Sequence, residues 1–431
     1  MFTSKEEVLD FIYENDVKFA RLMFCDIFGS LKNISISASQ LDHAFEHGIS
    51  FDASSIKGFL QVDRSDLLLF PDPSTLSVLP WRPQQGGVVR LMCDIRYADG
   101  TVFEGDCRTI LRRQIEKAEE QGLQINFGPE CEFYLFETDA QGRPTFTPHD
   151  EAGYFDFAPL DKGENVRREI CLTLEEMGLC VESSHHESGP GQHEIDFKYS
   201  DAVSAADNLT TFKAVVKTTA SRNGLYASFM PKPLNGQAGS GLHINLSIEK
   251  DGRNLFADGI DTLAEQFMAG IFQHIRGLSL FLNPTVNSYK RLGKGFEAPK
   301  YITWSRENRS HLIRIPAAKG SYSRMELRSP DSSCNPYLSF ALLIEAGLEG
   351  IRQGLVLPDG AGLDAEVNPS ELETLPASLY EALVAAKEDP LIPATIGRHC
   401  YDNFISAKQT EWHDYTAVVD SWERQRYFGQ L

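Results

Sequence analysis

The chain has 431 residues and a formal charge of −20, from 41 Lys+Arg against 61 Asp+Glu. Hydrophobic residues make up 42% and charged residues 24%, an ordinary globular composition, and the length suits two or three domains of roughly 150 residues. This acidic balance argues against a nucleic-acid-binding surface, and the lack of any run of about 18 apolar residues argues against a membrane span. Residues 1–15 carry no continuous apolar stretch of the kind a secretory signal needs, and the eight cysteines are scattered without a CxxC pair. Reduced thiols in a cytoplasm are therefore expected.

In chain order, Thr3 and Glu6 predict a capping box ahead of Val8, Leu9, Phe11 and Ile12. Residues 17–24 read as a strand, 67–83 as loops rich in proline (Pro71, Pro73, Pro80, Pro83), and 88–95 as a second strand closed by the turn Ala98-Asp99-Gly100. From about residue 103 the pattern changes. Helical periodicity appears over 108–121, 166–177, 208–221, 262–276 and 337–353, with strand-like runs between. The expected organisation is a small domain over 1–102 and a larger α/β domain over 103–431.

The strand-like runs of the larger region carry polar faces. Residues i and i+2 of a strand share a face. Glu130 and Glu132 share one; Glu187 precedes a Gly/Pro turn and Glu194 sits on the strand that follows. His243, Asn245 and Ser247 line a small polar face opposite Leu242, Ile244, Leu246 and Ile248. Arg324, Glu326 and Arg328 face away from Met325 and Leu327. Taken alone, each fits a plainer role as a solvent face, a surface turn or a structural histidine. Together they offer five carboxylates and one imidazole. Clustered carboxylates repel and require cations. Oxygen ligands with a single nitrogen favour Mg²⁺ or Mn²⁺ over zinc. Six such ligands suffice for two metals in a phosphoryl-transfer clamp, which points to ATP.

Residues 287–328 concentrate Arg291, Arg309, Arg314, Arg324 and Arg328 in an otherwise acidic protein. Arginine pairs bidentately with carboxylates and phosphates, although a solvated basic strip is the plainer alternative. Residues 293–299 read as a mobile loop that carries Glu297 over a site as a base or charge stabiliser. The glycines of 236–241 lack the lysine of a phosphate-binding loop and open no helix. They are expected to form a ligand-approaching loop before a strand.

Several blocks carry a family likeness: FDASSIKGF at 51–59, GPECEF at 128–133, ESGPGQHE at 187–194, 232–247, 283–299, NRS at 308–310, RMELRSPD at 324–331 and NPY at 335–337. On these the chain resembles the class I, bacterial-type glutamine synthetases over nearly its whole length. The resemblance implies an α+β fold: an N-terminal β-grasp domain and a C-terminal catalytic α/β domain whose antiparallel sheet forms a half-barrel funnel at subunit interfaces. It implies a homo-oligomer, a dodecamer of two hexameric rings, that ligates ammonia to L-glutamate through γ-glutamyl phosphate with ATP and two or more Mg²⁺ or Mn²⁺ ions. By the same resemblance, Glu132, Glu187 and Glu194 would hold the metal nearer glutamate and ammonium, and Glu130, His243 and Glu326 the metal nearer the ATP phosphates. Arg291, Arg309 and Arg328 would contact glutamate or its phosphorylated carboxylate. Arg314 and Arg324 would neutralise nucleotide phosphates, Ser247 would lie at the nucleotide, and Gly239 would bring backbone close to the ligands. Asp52 would bind ammonium from a neighbouring subunit and take its proton, and Glu297 would close the flap. Ala53 and Ala238 depart from the family pattern. Two other readings stand beside this one: a γ-glutamyl-amine ligase acting on a polyamine, and a non-catalytic assembly on the same fold.

Overall fold

Residues 2–81, 86–295, 297–360 and 372–431 are described in the computed structural model. The first helix, Lys5–Glu14, begins one residue later than the Thr3/Glu6 frame predicts. Ser4 Oγ accepts from Glu7 N at 3.3 Å, and Glu7 Oε2 accepts from Thr3 N at 2.7 Å. Both frames hold a hydroxyl and a glutamate three residues apart; the one used buries Val8 and Ile12 together.

The N-terminal sheet runs in the order Leu31–Ser37, Val17–Cys25, Gly87–Arg96, Asp66–Pro71, Ile49–Asp52, with Ser77–Val78 paired on Gly87–Arg96. Val17–Cys25 and Gly87–Arg96 are parallel neighbours; the other pairings are antiparallel. The expectation of loops over 67–83 is corrected at its start, where Asp66–Pro71 is a strand. Leu67, Leu69 and Pro71 alternate into the core, and the proline stands at the strand's last position, where a missing donor is tolerated. Pro83 lies outside the described residues.

The second sheet is built around the long strand Leu123–Thr138. Its order is Trp304–Arg306, Ile313–Ile315, Met325–Leu327, Leu242–Lys250, Leu123–Thr138, Gln192–Phe197, Val181–His186, with shorter strands at its margins. All its neighbours pair antiparallel except Trp304–Arg306 with Ile313–Ile315. One face is apolar: Leu242, Ile244, Leu246 and Ile248 stand opposite Cys131, Pro129, Phe127 and Ile125. Helices cover this face. The helices expected from periodicity are found at Cys107–Glu119, Glu164–Glu176, Ala202–Arg222, Thr262–Leu282 and Pro336–Gln353. Leu379–Glu388, Leu391–Ala417 and Ser421–Tyr427 follow. Thr262–Leu282 and Pro336–Gln353 lie so close that a Cβ on Gly270 would sit 2.1 Å from Ala346 O.

Charge ties the two sheets together. The buried Arg108 guanidinium reaches Asp72, which follows the strand Asp66–Pro71, at 2.8 Å, Asp94 of the strand Gly87–Arg96 at 3.1 Å, and Asp207 of Ala202–Arg222 at 2.9 Å. A guanidinium offers enough donors to satisfy all three, which is what makes burying it tolerable.

Candidate active site

The polar face of the second sheet puts chemistry in register. Glu194 pairs with Glu132, and Asp196 with Glu130. On the other side of the long strand His243 pairs with Glu130. One strand further, Glu326 pairs with Asn245 on one side and with Arg314 on the other. Strands that are not consecutive in the chain therefore deliver their polar side chains to one patch, because each turns the same face of the sheet towards it.

His243 is the centre of the patch. Its Nδ1 lies 3.6 Å from both Glu130 Oε2 and Glu326 Oε1, and its Nε2 3.7 Å from Glu132 Oε1. Burial, then the charge of Arg328, holds its pKa well below the ordinary range, so the imidazole is neutral and these approaches are not ion pairs. Burial, then the charge of Glu187, pushes Glu132 up to about 7. Burial raises Glu194 well above its usual range, with Asp196 adding to it. Glu187 is raised chiefly by burial. Such carboxylates cannot all ionise side by side without a cation. A neutral imidazole among oxygen donors suits Mg²⁺ or Mn²⁺, so the residues present fit divalent ions.

The acids fall into overlapping groups whose ligand atoms lie within 4.8 Å of one another: Glu130, His243 and Glu326; Glu132, Glu194 and His243; His185, Glu187 and Glu194; Glu130, Glu194 and Asp196. The first is one of the expected trios intact. The other expected trio, Glu132, Glu187 and Glu194, is joined through Glu194 rather than gathered as a single group. Gly241 leaves the centre open: a Cβ there would sit 2.7 Å from Arg291 Nη2, 2.9 Å from His243 Nε2 and 3.1 Å from Glu132 Oε1.

These residues line an open cleft of about 900 Å³. Glu130, Glu132, Glu187, Glu194, His243, Gly239, Arg291, Glu297, Arg309, Arg314, Arg324 and Arg328 all reach it. Ser247 lines a smaller adjoining cavity, which shares Glu130, Asp196 and Arg324 with the cleft. Glu326 is fully buried behind His243, hydrogen-bonded to Arg314 Nε and Arg328 Nη1. Glu297 sits exposed on its loop with Oε2 3.7 Å from Arg328 Nη2; its neighbour Phe296 lies outside the described residues. Asp52 is not among the residues lining the cleft of its own chain. It is exposed at the end of Ile49–Asp52, where Ser54 Oγ and N donate to it at 2.6 and 2.9 Å and hold its pKa below the usual range.

Arg291 is engaged more with the backbone than the sequence suggests. Its Nη1 donates to Ser329 O at 2.8 Å and Pro330 O at 3.1 Å, and its Nη2 to Arg328 O at 3.1 Å. It thereby fixes the segment that carries Arg328. Sequence reasoning missed three participants, Asp196, His185 and Gln192, and gave no role to Asn245 on the polar face it had identified. Asp196 and His185 join the acids, and each is two residues from one already chosen, Glu194 and Glu187. The same parity would have found them. Asn245 bridges Arg324 Nε (2.8 Å) and Glu130 Oε1 (2.7 Å). Gln192 donates to Glu132 Oε2 at 2.9 Å and Gly239 O at 3.1 Å. Ala238 also lines the cleft, its carbonyl bound by Tyr134 Oη at 2.6 Å.

Residues 104–427 match the family Glutamine synthetase, catalytic domain, and residues 16–98 the family Glutamine synthetase, beta-Grasp domain. A glutamine synthetase of Clostridium saccharobutylicum is 50% identical over 99% of both chains. One from Staphylococcus aureus is 47% identical over 99% of this chain and 98% of its own. Among solved structures, "Apo GmaS without ligand" superposes with a TM-score of 0.89 at 32% identity, covering 98% of this chain and 99% of that one. Plasmodium falciparum glutamine synthetase gives 0.89 at 26% identity over 99% of each. Together with the carboxylate-lined cleft, these matches over both parts of the chain establish that it belongs to the glutamine synthetase family.

Proposed function

We propose a residue-level division of labour for the ATP-dependent synthesis of glutamine, the activity that membership of this family carries. The observation that supports it is the convergence of Glu130, Glu132, Glu194 and His243 from three paired strands beside Arg314, Arg324 and Arg328 in one cleft. Glu130, His243 and Glu326 would hold one divalent ion towards ATP; Glu132, Glu187 and Glu194 would hold another towards glutamate and ammonium. Mg²⁺ or Mn²⁺ suits both sets. When bound, such ions neutralise phosphate charge in the transfer step.

A carboxylate is a poor acyl donor because oxide is a poor leaving group. Phosphorylation of the γ-carboxylate by ATP gives γ-glutamyl phosphate. In this reading Arg314 and Arg324 draw charge from the nucleotide phosphates, with Ser247 at the nucleotide. Arg309 and Arg328 hold the substrate carboxylate through the transfer. Arg291 acts beside them, its own guanidinium tied to carbonyl oxygens. Gly239 lets the backbone come close to the ligands: a Cβ there would meet Pro231 O at 2.5 Å. Ammonium is not nucleophilic until deprotonated. Asp52 binds it and takes the proton, ammonia attacks the acyl carbon, and phosphate leaves. Glu297 closes over the cleft, which keeps water from the acyl phosphate.

Asp52 belongs to the N-terminal sheet, so in this reading it serves the cleft of a neighbouring copy. We therefore propose a homo-oligomer, a dodecamer of two hexameric rings, in the cytoplasm. Among the described residues no helix is long and apolar enough to cross a membrane. The two functional units are taken as 1–102 and 103–431, which separates the two sheets.

Trapping tests the chemistry. With glutamate, ATP and Mg²⁺, hydroxylamine in place of ammonium should yield γ-glutamyl hydroxamate and phosphate in equal amounts. Phosphate release without hydroxamate would mean that the cleft does not pass an acyl phosphate to the nitrogen nucleophile, which contradicts this reading.

A further inference from the structure

Glu187 and Glu194 each follow a histidine, and the sheet turns those histidines to the opposite side. His186 and His193 are cross-strand partners, both fully buried, with rings meeting edge to face at 4.8 Å. Behind them stand Asp150, Asp161 and Arg167. Asp150 Oδ1 accepts from His186 Nε2 at 2.8 Å and from Gly191 N at 2.9 Å; its Oδ2 accepts from Lys162 N at 3.0 Å. His186 Nδ1 faces Glu187 O at 2.7 Å, and a carbonyl can only accept. Arg167 Nη1 reaches Asp161 Oδ2 at 2.7 Å and donates to His193 Nδ1 at 2.9 Å.

The four acids and histidines lie within 4.8 Å of one another, as metal ligands would. The cluster nevertheless supplies its own cation. Arg167 stands between Asp161 and His193, and both nitrogens of His186 already face acceptors. It is a balanced ion network, not a metal centre.

Its position gives it a purpose. Glu187 ends the paired region: its N donates to Gln192 O at 2.7 Å, and the chain then enters the Ser-Gly-Pro-Gly turn. No further ladder bond of the described strands fixes its carbonyl. His186 does so from one side, while Asp150 holds Gly191 at the far end of the same turn. We propose that His186, oriented by Asp150, is a positioning residue that sets the Glu187 carboxylate in the metal-facing cleft. This rests on the reading of Glu187 as a metal ligand. Partners that orient a ligand from behind are typically worth roughly 10–100-fold in metal affinity.

Two substitutions separate the contacts of His186. Asparagine places an amide nitrogen near the site of Nδ1, and glutamine places one near Nε2. Mn²⁺ binding to the assembled, full-length protein, followed by electron paramagnetic resonance, is the readout, with thermal melting alongside. His186→Gln should weaken one class of Mn²⁺ site by roughly 10–100-fold, while His186→Asn stays within a few-fold of wild type. Glu187→Gln should lose that class. If His186→Gln and His186→Asn bind alike, whether both weakened or both normal, the positioning role is overturned. If Glu187→Gln binds Mn²⁺ like wild type, the underlying ligand assignment fails instead. Should the His186 variants not fold, Asp150→Asn keeps the size of the original but turns one of its two acceptor oxygens into a donor, so it cannot satisfy His186 Nε2, Gly191 N and Lys162 N together; roughly tenfold weaker Mn²⁺ binding is expected, and unchanged binding overturns the proposal.

Discussion

Glu194 stands directly opposite Glu132 across the ladder between Gln192–Phe197 and the long strand, two like charges at cross-strand spacing in a buried patch. Such a pair works against the sheet that contains it. Its persistence makes sense if a cation normally lies between the acids. This yields a pH prediction. Burial, then Glu187, raises Glu132 from 4.5 to about 7 in the metal-free fold. A carboxyl raised on folding stabilises the fold while protonated: the contribution is full below the unfolded value and is lost as pH rises through about 7. Without divalent ions, thermal melting should therefore occur at higher temperature near pH 5.5 than near pH 8. Saturating Mg²⁺ should raise melting more at the higher pH, because metal binds the deprotonated ligands. A Mg²⁺ effect independent of pH would contradict the metal role of Glu132.

Gly241 keeps the centre of the patch open, and Gly241→Ala tests whether that space is used. The methyl group would press on His243 and Glu132, and on Arg291 Nη2, which is itself pinned to Arg328 O. Turnover should fall on the order of 100-fold with Mn²⁺ affinity reduced in parallel, as when a ligand is displaced. Full activity in this variant would mean that the reacting groups bind elsewhere in the cleft.

Glu326 offers a sharper case, because it is both a candidate ligand and the counter-charge for two arginines. Glu326→Ala would leave the buried Arg328 and the half-buried Arg314 without this partner, a loss of roughly 3–5 kcal/mol when one member of a buried pair is removed. Glu326→Gln keeps the volume and one of the two acceptor oxygens, but sets its amide nitrogen against one of the two arginine donors. It should retain the assembly, with a melting temperature between those of Glu326→Ala and wild type, while phosphate release falls by about 100-fold or more. Turnover like that of wild type in Glu326→Gln would refute its place in the site.

Much of this site was legible because β structure has a strict period. Glu130/Glu132 and His243/Asn245/Ser247 announce their faces by spacing alone, and a shared face is what the register then delivers. Asp196 and His185 follow the same rule and were passed over, since neither belongs to an obvious motif. The support behind the sheet is different in kind. Asp150 meets His186 across 36 positions and Arg167 meets His193 across 26, and nothing local marks such partners. The strand Asp66–Pro71 reads as loop from sequence because Pro71 and the prolines that follow it outweigh the Leu67/Leu69 alternation. Leu391–Ala417 was not anticipated because Gly397, at φ 77°, kinks it and breaks the helical period of its apolar residues.

Asp52 supplies the test of the shared site. Loss of a charged hydrogen-bonding partner costs roughly 1.5–3 kcal/mol, or about 10–100-fold. Asp52→Ala should raise the KM for ammonium by that factor and leave ATP binding within about twofold. At ammonium concentrations well below the raised KM, co-assembled Asp52→Ala and Glu326→Gln subunits should exceed the activity of either variant alone, since some clefts then combine an intact loop with an intact metal nest. Absence of recovery in mixed assemblies would place the complete site within one chain.

The central claim is that this cleft joins ammonia to glutamate. The most direct measurement is product identification by mass spectrometry, with glutamate, ATP and Mg²⁺ present and ammonium compared against a panel of organic amines and polyamines. Glutamine and phosphate in equal amounts, formed with ammonium in preference to any amine, is the predicted result. A γ-glutamyl-amine product in place of glutamine, or no ATP-dependent product from an intact assembly, would contradict it.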